Sequence, residues 1–477
     1  MRRWAALACV LVLVGAVAGQ QGSAPAAAKK RPNVVFILTD DLSWNLVRYM
    51  PNVRDMRRNG VSFTGYFVTD SLCCPSRASI FTGRFPHNTK IFTNRPPDGG
   101  YGLFHQRREE RSTFATALSK AGYRTGFMGK YLNGYEPSGL FVPNGWSDWR
   151  GAGNAYREFN YNLNENGALF HYGTRPQDYL TDVLAAKGGA FIGAAADAGQ
   201  PFILELATFA PHAPFTPAPR HANLFPGLQS PKGPAFNAAV THAPRWLAGH
   251  QPLGPQAIRR TNQRFRRRVR SIQAVDELIG GIRATLAARG LADDTYIVFS
   301  SDNGFHLGEH RLRQGKQTAF DTDIRVPLIV VGPGVPSGRT IRSLAQNVDL
   351  RPTFSRLGGA KVPRSVDGRS LASLFHGKRP KRWRRAVLIE HHGPDQRGAG
   401  PDRQSDNPST YSAIRLKRSV YVEYRNGDRE YYNLKRDPNE LYNTYHRLSK
   451  PKRAGLHRML KRLKRCRGAR RCAKAAR

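Results

Sequence analysis

The chain is poor in acid. Its 477 residues include 34 Asp and Glu against 75 Lys and Arg, a formal charge of +41 at pH 7. Such a field draws in anionic substrates and surfaces and speeds their encounter, but it does not set a fold. The excess is uneven, with one basic stretch from Arg259 to Arg270 and another over residues 450–477 that includes Lys461, Arg462, Lys464, Arg465, Arg467, Arg470 and Arg471. A solvated basic face is the plain reading of both, and attachment of the basic tail to a polyanion surface is the functional one. No aromatic-rich motif accompanies them, so specific nucleic-acid recognition is not expected.

Long apolar runs are missing except at the N-terminus, where Arg2 and Arg3 precede a run from Trp4 to Val17 and the small residues Ala16-Val17-Ala18. That run is too short for an ordinary membrane span and reads as a secretory signal peptide. Ala6-Leu7-Ala8 before Cys9 is a poor lipoprotein box, because too little apolar sequence precedes it. Residues 1–18 are therefore excluded from the fold, 19–32 read as a small-residue and basic linker, and the mature chain is expected to be secreted or otherwise extracytoplasmic. Cysteine is scarce too: of five, Cys73, Cys74, Cys466 and Cys472 remain after cleavage. Two thiols with few nearby histidines make a metal site at the C-terminal pair a weak reading. With 40% hydrophobic residues and no low-complexity tract of domain size, the chain can bury a large core.

Asn33-Val34-Val35-Phe36-Ile37-Leu38 is continuously apolar and predicts a buried parallel strand. Similar runs recur at 124–128, 202–208, 295–300 and 326–331, separated by helical patterns such as 114–121. Ile272, Val275, Leu278, Ile279, Ile282 and Leu286 share one helical face, with Gly290 as the stop signal. Strands alternating with helices predict an α/β fold, a large mostly parallel mixed sheet sandwiched by helices. Segments 136–180 and 213–262, rich in Gly, Pro, Asn and aromatics, read as long surface loops around a pocket mouth. From about 385 the pattern changes to short strands at 412–416, 419–424 and 430–434 with a turn at Asn426-Gly427-Asp428. This predicts a small C-terminal α+β domain with an antiparallel sheet over 385–449, after a catalytic domain over 33–384.

Polar residues follow most of the parallel strands: Asp40 and Asp41, Lys130, His212, and Asp302 with Asn303. Ligands of open α/β sheets bind beyond the carboxyl ends of strands, so these distant residues are expected to converge. Asp40-Asp41 and Asp302-Asn303 offer hard oxygen ligands suited to Ca²⁺ or Mg²⁺.

The most informative segment is Cys73-Cys74-Pro75-Ser76-Arg77, continuing through Ala78-Ser79-Ile80 to Phe81-Thr82-Gly83-Arg84. Pro75 suits the first turn of a helix, where its missing N–H costs nothing. Cys73 then sits at a helix N-terminus, whose unpaired N–H groups favour anions and thiolates, and Arg77 adds a planar cation one turn on. A sulfate or phosphate ester suits such a place. An isolated CxPxR would read as a buried pair beside a helix cap. The full run resembles the sulfatase signature CxPSRxxxLTGR, with Phe81 at the Leu position.

That resemblance implies an alkaline-phosphatase-like fold and a sulfuric ester hydrolase, with Cys73 converted to formylglycine by a formylglycine-generating maturation enzyme. It also implies a Ca²⁺ ion, with Mg²⁺ as the alternative, held by Asp40, Asp41, Asp302, Asn303 and modified Cys73. Arg77, Lys130 in Gly-Lys-Tyr and Lys316 in Gly-Lys-Gln would hold sulfate, while His212 in Ala-Pro-His-Ala-Pro or Lys316 would protonate the leaving alcohol. His87, His306 and His310 are weaker candidates. Leu132 and Asn133 stand where many sulfatases have a histidine two residues after the lysine, so the chain resembles the N-acetylglucosamine-6-sulfatase branch more than simple arylsulfatases. The likeness runs from about Asn33 to Tyr445. The terminal cysteines look like a pair found in that branch, and once Cys73 is modified and Cys74 buried, a Cys466–Cys472 disulfide is the expectation. The implied substrate is a sulfated small molecule or glycan; the alternatives are a phosphate or phosphonate ester, or polyanion binding without catalysis if Cys73 stays a thiol.

Overall fold

The computed structural model describes Met1 and residues 31–378, 380–393 and 408–477. Apart from Met1, the expected signal peptide and most of the linker lie outside the described residues.

In chain order the strands are β1 (Asn33–Thr39), β2 (Val61–Phe63), β3 (Tyr66–Phe67), β4 (Arg124–Lys130), β5 (Asp148–Ala152), β6 (Tyr161–Glu165), β7 (Ala168–Tyr172), β8 (Phe202–Ala207), β9 (Thr295–Ser301), β10 (Leu328–Val331), β11 (Arg339–Ile341) and β12 (Ala345–Gln346). After them come β13 (Ala386–His391), β14 (Tyr411–Leu416), β15 (Ser419–Tyr424) and β16 (Arg429–Asn433). Ten form one sheet in the spatial order β11-β2-β10-β9-β1-β8-β4-β5-β6-β7. Its middle, β9-β1-β8-β4-β5, is parallel throughout, whereas β10, β6 and β7 run antiparallel to their neighbours. The sheet is the large, mostly parallel mixed sheet expected.

Both faces of the middle are covered, which is why β1, β8 and β9 are buried at every position. Val34, Phe36, Leu38, Ile203 and Phe127 face one apolar cluster; Val35, Ile37, Leu204 and Leu206 face the other. On the second side lies the helix Pro255–Ala288, longer than its apolar stripe suggested, packed with the helix Leu180–Asp197. On the first side lies the helix Cys73–Thr82, buried at all ten positions. Phe81 packs against Phe114, Phe127 and Tyr131 with ring centroids 5.2–6.2 Å apart. An aromatic at this position therefore continues an aromatic cluster.

Segment 136–180 is not the loop expected. It holds β5, β6 and β7, which extend the main sheet. The hairpin between β6 and β7 turns on Asn166-Gly167, both with positive φ (53° and 90°), as a tight primed turn requires. The irregular mix of aromatic and polar residues in these short strands hid that signal. Segment 213–262 is mostly loop, with short helices at Pro219–His221 and Arg245–Ala248 before the long helix begins at Pro255.

The smaller sheet is antiparallel, in the order β13-β14-β15-β16. Val387, Ile389, Ala413 and Val422 on one face join the main core. Leu388, Ile414 and Tyr421 on the other meet Leu456, Leu460 and Leu463 of the helix Lys450–Leu463. A disulfide joins Cys466 and Cys472 beyond that helix. Residues Arg31–Arg477 form one compact unit.

Gly129 shows how tightly β4 and β8 are pressed together. Its φ is +110°, and a Cβ there would lie 2.0 Å from the Ala207 carbonyl oxygen. Replacing it with Ala adds backbone strain and a clash, together about 2 kcal/mol or more. Gly129→Ala is expected to lower the urea midpoint at unchanged m-value; an unchanged midpoint would mean that β4 can slide away from β8.

Candidate active site

The carboxyl ends of four parallel strands meet at one place. Asp40 and Asp41 follow β1, Lys130 ends β4, His212 follows β8, and Asp302 and Asn303 follow β9. Cys73 comes in at the start of its helix and Lys316 from the loop after β9. All eight are at most 3% exposed. Ligand-type atoms of Asp40, Asp41, Cys73 and His212 all lie within 4.8 Å of one another.

Each of the three strand-end carboxylates has a cation. Lys130 Nζ donates to Asp40 Oδ2 at 2.5 Å, Lys316 Nζ to Asp41 Oδ1 at 2.7 Å, and Arg77 Nε to Asp302 Oδ2 at 2.7 Å. Lys316 Nζ also lies 2.8 Å from Cys73 Sγ, and Sγ lies 3.4 Å from Asp40 Oδ1. Backbone N–H groups of Asp41 and Asn303 donate to Asp302 Oδ1 at 3.1 and 2.8 Å, and Asn303 Nδ2 donates to Asp41 Oδ1 at 2.6 Å. His212 Nε2 is 3.5 Å from Asp41 Oδ2. Its Nδ1 lies 2.8 Å from the Ala213 carbonyl; an N–H there donates to that oxygen and leaves Nε2 facing the carboxylates. Arg77 Nη1 donates to the Lys130 carbonyl at 2.7 Å, tying the helix to the end of β4.

Electrostatics follow from burial. Burial pushes the Cys73 thiol well up and Asp40 adds to the rise, outweighing Lys130 and Lys316. Burial therefore works against the thiolate that the helix terminus alone would favour. Burial opposes the charge on Lys130, but Asp40 more than offsets it and holds the ammonium well above its ordinary range. Burial likewise opposes the Asp40 carboxylate, and Lys130 with His212 brings its pKa below the usual value.

The weaker histidine candidates lie elsewhere. His87 does not line the site; its Nδ1 bonds Glu390 at 2.7 Å and its Nε2 lies 2.8 Å from the Cys466 carbonyl, so it ties the first half of the chain to the C-terminal segment. His306 pairs with Asp323 at 2.9 Å, and His310 stacks on Phe320 while meeting the Asn439 carbonyl at 2.9 Å. Leu132 is buried, and Asn133 donates to the Tyr156 hydroxyl at 3.1 Å.

Two site residues escaped the sequence reading. Arg268 Nη2 donates to the Asp41 carbonyl at 2.6 Å, beneath the Phe305 ring at 4.0 Å. It belongs to the basic run 259–270 but sits one turn before Ile272 on the apolar stripe, and that spacing was the available signal. Tyr156, whose ring lies 5.0 Å from Lys130 Nζ and 4.6 Å from the His212 ring, had none. A third buried group, Glu205 on β8, has no hydrogen-bond partner for either oxygen, and burial pushes its pKa up to about 8.

The sulfatase family model matches residues 32–360, and a model described as N-sulphoglucosamine sulphohydrolase, C-terminal, matches residues 308–467. This chain belongs to the sulfatase family. It is thus a sulfuric ester hydrolase by family. A human protein named N-acetylglucosamine-6-sulfatase is 33% identical over 470 residues, covering 91% of this sulfatase and 84% of the human chain. A Drosophila melanogaster protein named extracellular sulfatase SULF-1 homolog is 36% identical over 377 residues; these cover 77% of this sulfatase but only 34% of the longer fly protein. A solved structure of a protein in complex with its substrate, D-glucosamine-2-N,6-O-disulfate, superposes with a TM-score of 0.79 at 24% identity, covering 91% and 97% of the two chains. That likeness establishes a shared fold.

Asp302→Ala would strand the Arg77 guanidinium without its carboxylate, and an unpaired buried charge costs about 3–5 kcal/mol. Chemical denaturation should show a loss of that size; a loss below ~1 kcal/mol would mean that the pair is not desolvated. Because the folded pKa of Glu205 is raised, its stabilising contribution is complete below the ordinary value of 4.5 and is lost as pH rises through about 8. Glu205→Gln is expected to flatten the fall of the thermal midpoint between pH 5 and pH 9 (roughly the span of those two values); an unchanged slope would place the titration elsewhere.

Proposed function

We propose that this enzyme is an exported hydrolase of sulfated carbohydrates, with an N-acetylglucosamine 6-sulfate ester as the first substrate to test. In this reading Cys73 is converted to formylglycine by a maturation enzyme, and Ca²⁺, or Mg²⁺ in its place, sits among Asp40, Asp41, Asp302, Asn303 and residue 73. The observation that carries the proposal is the buried meeting of two carboxylates, Cys73 and His212 within 4.8 Å, with Lys130 and Lys316 directly on the carboxylates. The names of the human relative and of the protein solved with its disulfated glucosamine point to the same substrate class. Export is supported by the leader-like N-terminus and by the extracellular designation of the fly relative.

The residues suit the absent groups. Asn303 Oδ1 is buried with no hydrogen-bond partner, an acceptor available to a cation, and the nearby carboxylates are hard donors. Arg77 Nη2 is likewise buried and unpartnered, a donor available to an anion. When present, formylglycine supplies a hydrated aldehyde oxygen as nucleophile toward sulfur, and the cation supplies positive charge for the sulfate oxygens.

The chain's own residues do the rest. Arg77 fixes Asp302 and the end of β4, so the ligand set is rigid before substrate arrives. Lys130 and Lys316 place two ammonium groups where negative charge develops, in a site shielded from water. The leaving oxygen takes its proton from Lys316 Nζ, or from His212 Nε2 when the ring carries a proton on both nitrogens; both groups adjoin Asp41. Arg268 holds the Asp41 carbonyl, while Tyr156 covers Lys130 and His212.

Free-sulfate release should be measured on glucosamine 6-sulfate, aryl sulfates and sulfated polysaccharides, for wild type, for Cys73→Ala and after chelation with Ca²⁺ added back. Turnover is expected in wild type alone and in the metal-restored sample, with intact mass about 18 Da below that of the plain thiol chain, the change for thiol to aldehyde. Equal activity of Cys73→Ala would overturn the nucleophile assignment. A full-mass thiol with no turnover of any sulfate ester would overturn the catalytic reading.

A further inference from the structure

Away from the active site lies a groove of about 550 Å³, within the range of a ligand pocket. Its walls are β11 at the edge of the large sheet, the segment after it, the segment leading into β13, and the turn between β14 and β15. Arg339, Arg342, Arg384, Arg385, Lys417 and Arg418 line it, and no carboxylate does. Six of the fifteen lining residues are therefore basic, roughly two and a half times their share of the whole chain.

Only Arg384 is neutralised, by Asp349 at 2.6 Å. The other five are exposed and form no ion pair with a described carboxylate. The floor between them is fixed. Trp383 is buried and donates its indole N–H to the Leu344 carbonyl at 2.6 Å, and the backbone N–H of Arg385 donates to the Ala476 carbonyl at 2.8 Å. Cations from three separate stretches of chain thus surround one rigid hollow.

The groove stands apart from the catalytic residues. Tyr411, at one end of β14, donates its hydroxyl to the carbonyl of Gln317, next to Lys316. Leu416, at the other end, lines the groove, and five residue steps along the strand separate the two, about 17 Å at the usual rise. A ligand reaching both must be a polymer or a long oligomer.

We propose that this groove is a second binding site, taking a stretch of sulfated polysaccharide at a distance from the ester being hydrolysed. Arginine presents a planar fork that matches sulfate and carboxylate oxygens two at a time, and four of the five uncompensated cations are Arg. Only the choice of a sulfated glycan over other polyanions rests on the function proposed above. The plain alternative is that the charges keep edge strand β11 from pairing with another chain.

The test is binding to heparin, as a sulfated polysaccharide probe, across a salt series. Wild type is compared with the quadruple variant Arg339→Gln, Arg342→Gln, Arg385→Gln, Arg418→Gln and with a charge-matched control, Arg458→Gln, Lys461→Gln, Arg462→Gln, Lys464→Gln, on the C-terminal helix and the residue after it. The groove variant is expected to lose at least about ten-fold in affinity with a shallower salt slope, while the control stays within about two-fold, because released counterions follow the contacts made rather than net charge. Both should keep wild-type turnover of a small monosulfated ester, which also shows that they fold. Wild-type affinity in the groove variant, equal losses in both variants, or equally tight wild-type binding of single-stranded DNA would overturn the proposal. Repeating the titration in Cys73→Ala separates the two ideas: retained heparin binding without turnover leaves the groove standing whatever becomes of the nucleophile.

Discussion

Three buried carboxylates faced one-to-one by three buried cations are the constraint on which the architecture of the candidate active site depends. Asp40 with Lys130, Asp41 with Lys316 and Asp302 with Arg77 are all withdrawn from water. Each charge alone would cost several kcal/mol to bury, so none of the six is tolerable without its partner. The partners come from β1, β4, β9, one helix and one loop. Their register must therefore hold to a fraction of an ångström, and the close approach of β4 to β8 at Gly129 and the Arg77 bond to the Lys130 carbonyl supply that precision. Arg268 and Asn303 brace the same carboxylates from the side, at the Asp41 backbone carbonyl and at its Oδ1.

Scarcity of acid has a structural counterpart. Many of the few carboxylates are inside, holding the fold together. Asp276 accepts the backbone N–H groups of Asn52 and Val53, Asp367 accepts those of Phe85 and Gly468, and Asp349 accepts that of Arg369 and pairs with Arg384. Acids used this way cannot neutralise the surface. The basic character of the exterior, the groove beside β11 included, follows from where the acids went as much as from the number of lysines and arginines.

Much of the site was legible because parallel strands make buried, largely apolar runs whose ends are marked by the first charged residue. Asp40, Lys130 and Asp302 were visible in that way, and Pro75 marked the first turn of the helix that Cys73 opens. The rest was not, for physical reasons. The strands β5 to β7 are five residues each and mix aromatics with Asn, Gly, Arg and Glu, and the edge strand β7 leaves Leu169 and Phe170 exposed, so no clean alternation marks them and their composition resembles a loop despite the Asn166-Gly167 turn. Arg268 looked like one more member of a basic run until the helix phase put it on the buried stripe. Tyr156 comes from an irregular stretch that no periodicity describes. His87 has the chemistry of a site residue but is used to fasten Cys466 and Glu390.

Burial of the Cys73–Thr82 helix at every position bears on the order of events in the protein's biogenesis. Cys73 is 0% exposed, and Asp40 and Lys316 lie against its sulfur. No second protein can close an active site around that thiol once the sheet, the helix and the C-terminal segment have come together. An enzyme that rewrote residue 73 would therefore have to reach it before this packing is complete, so that folding and modification would compete for the same interval.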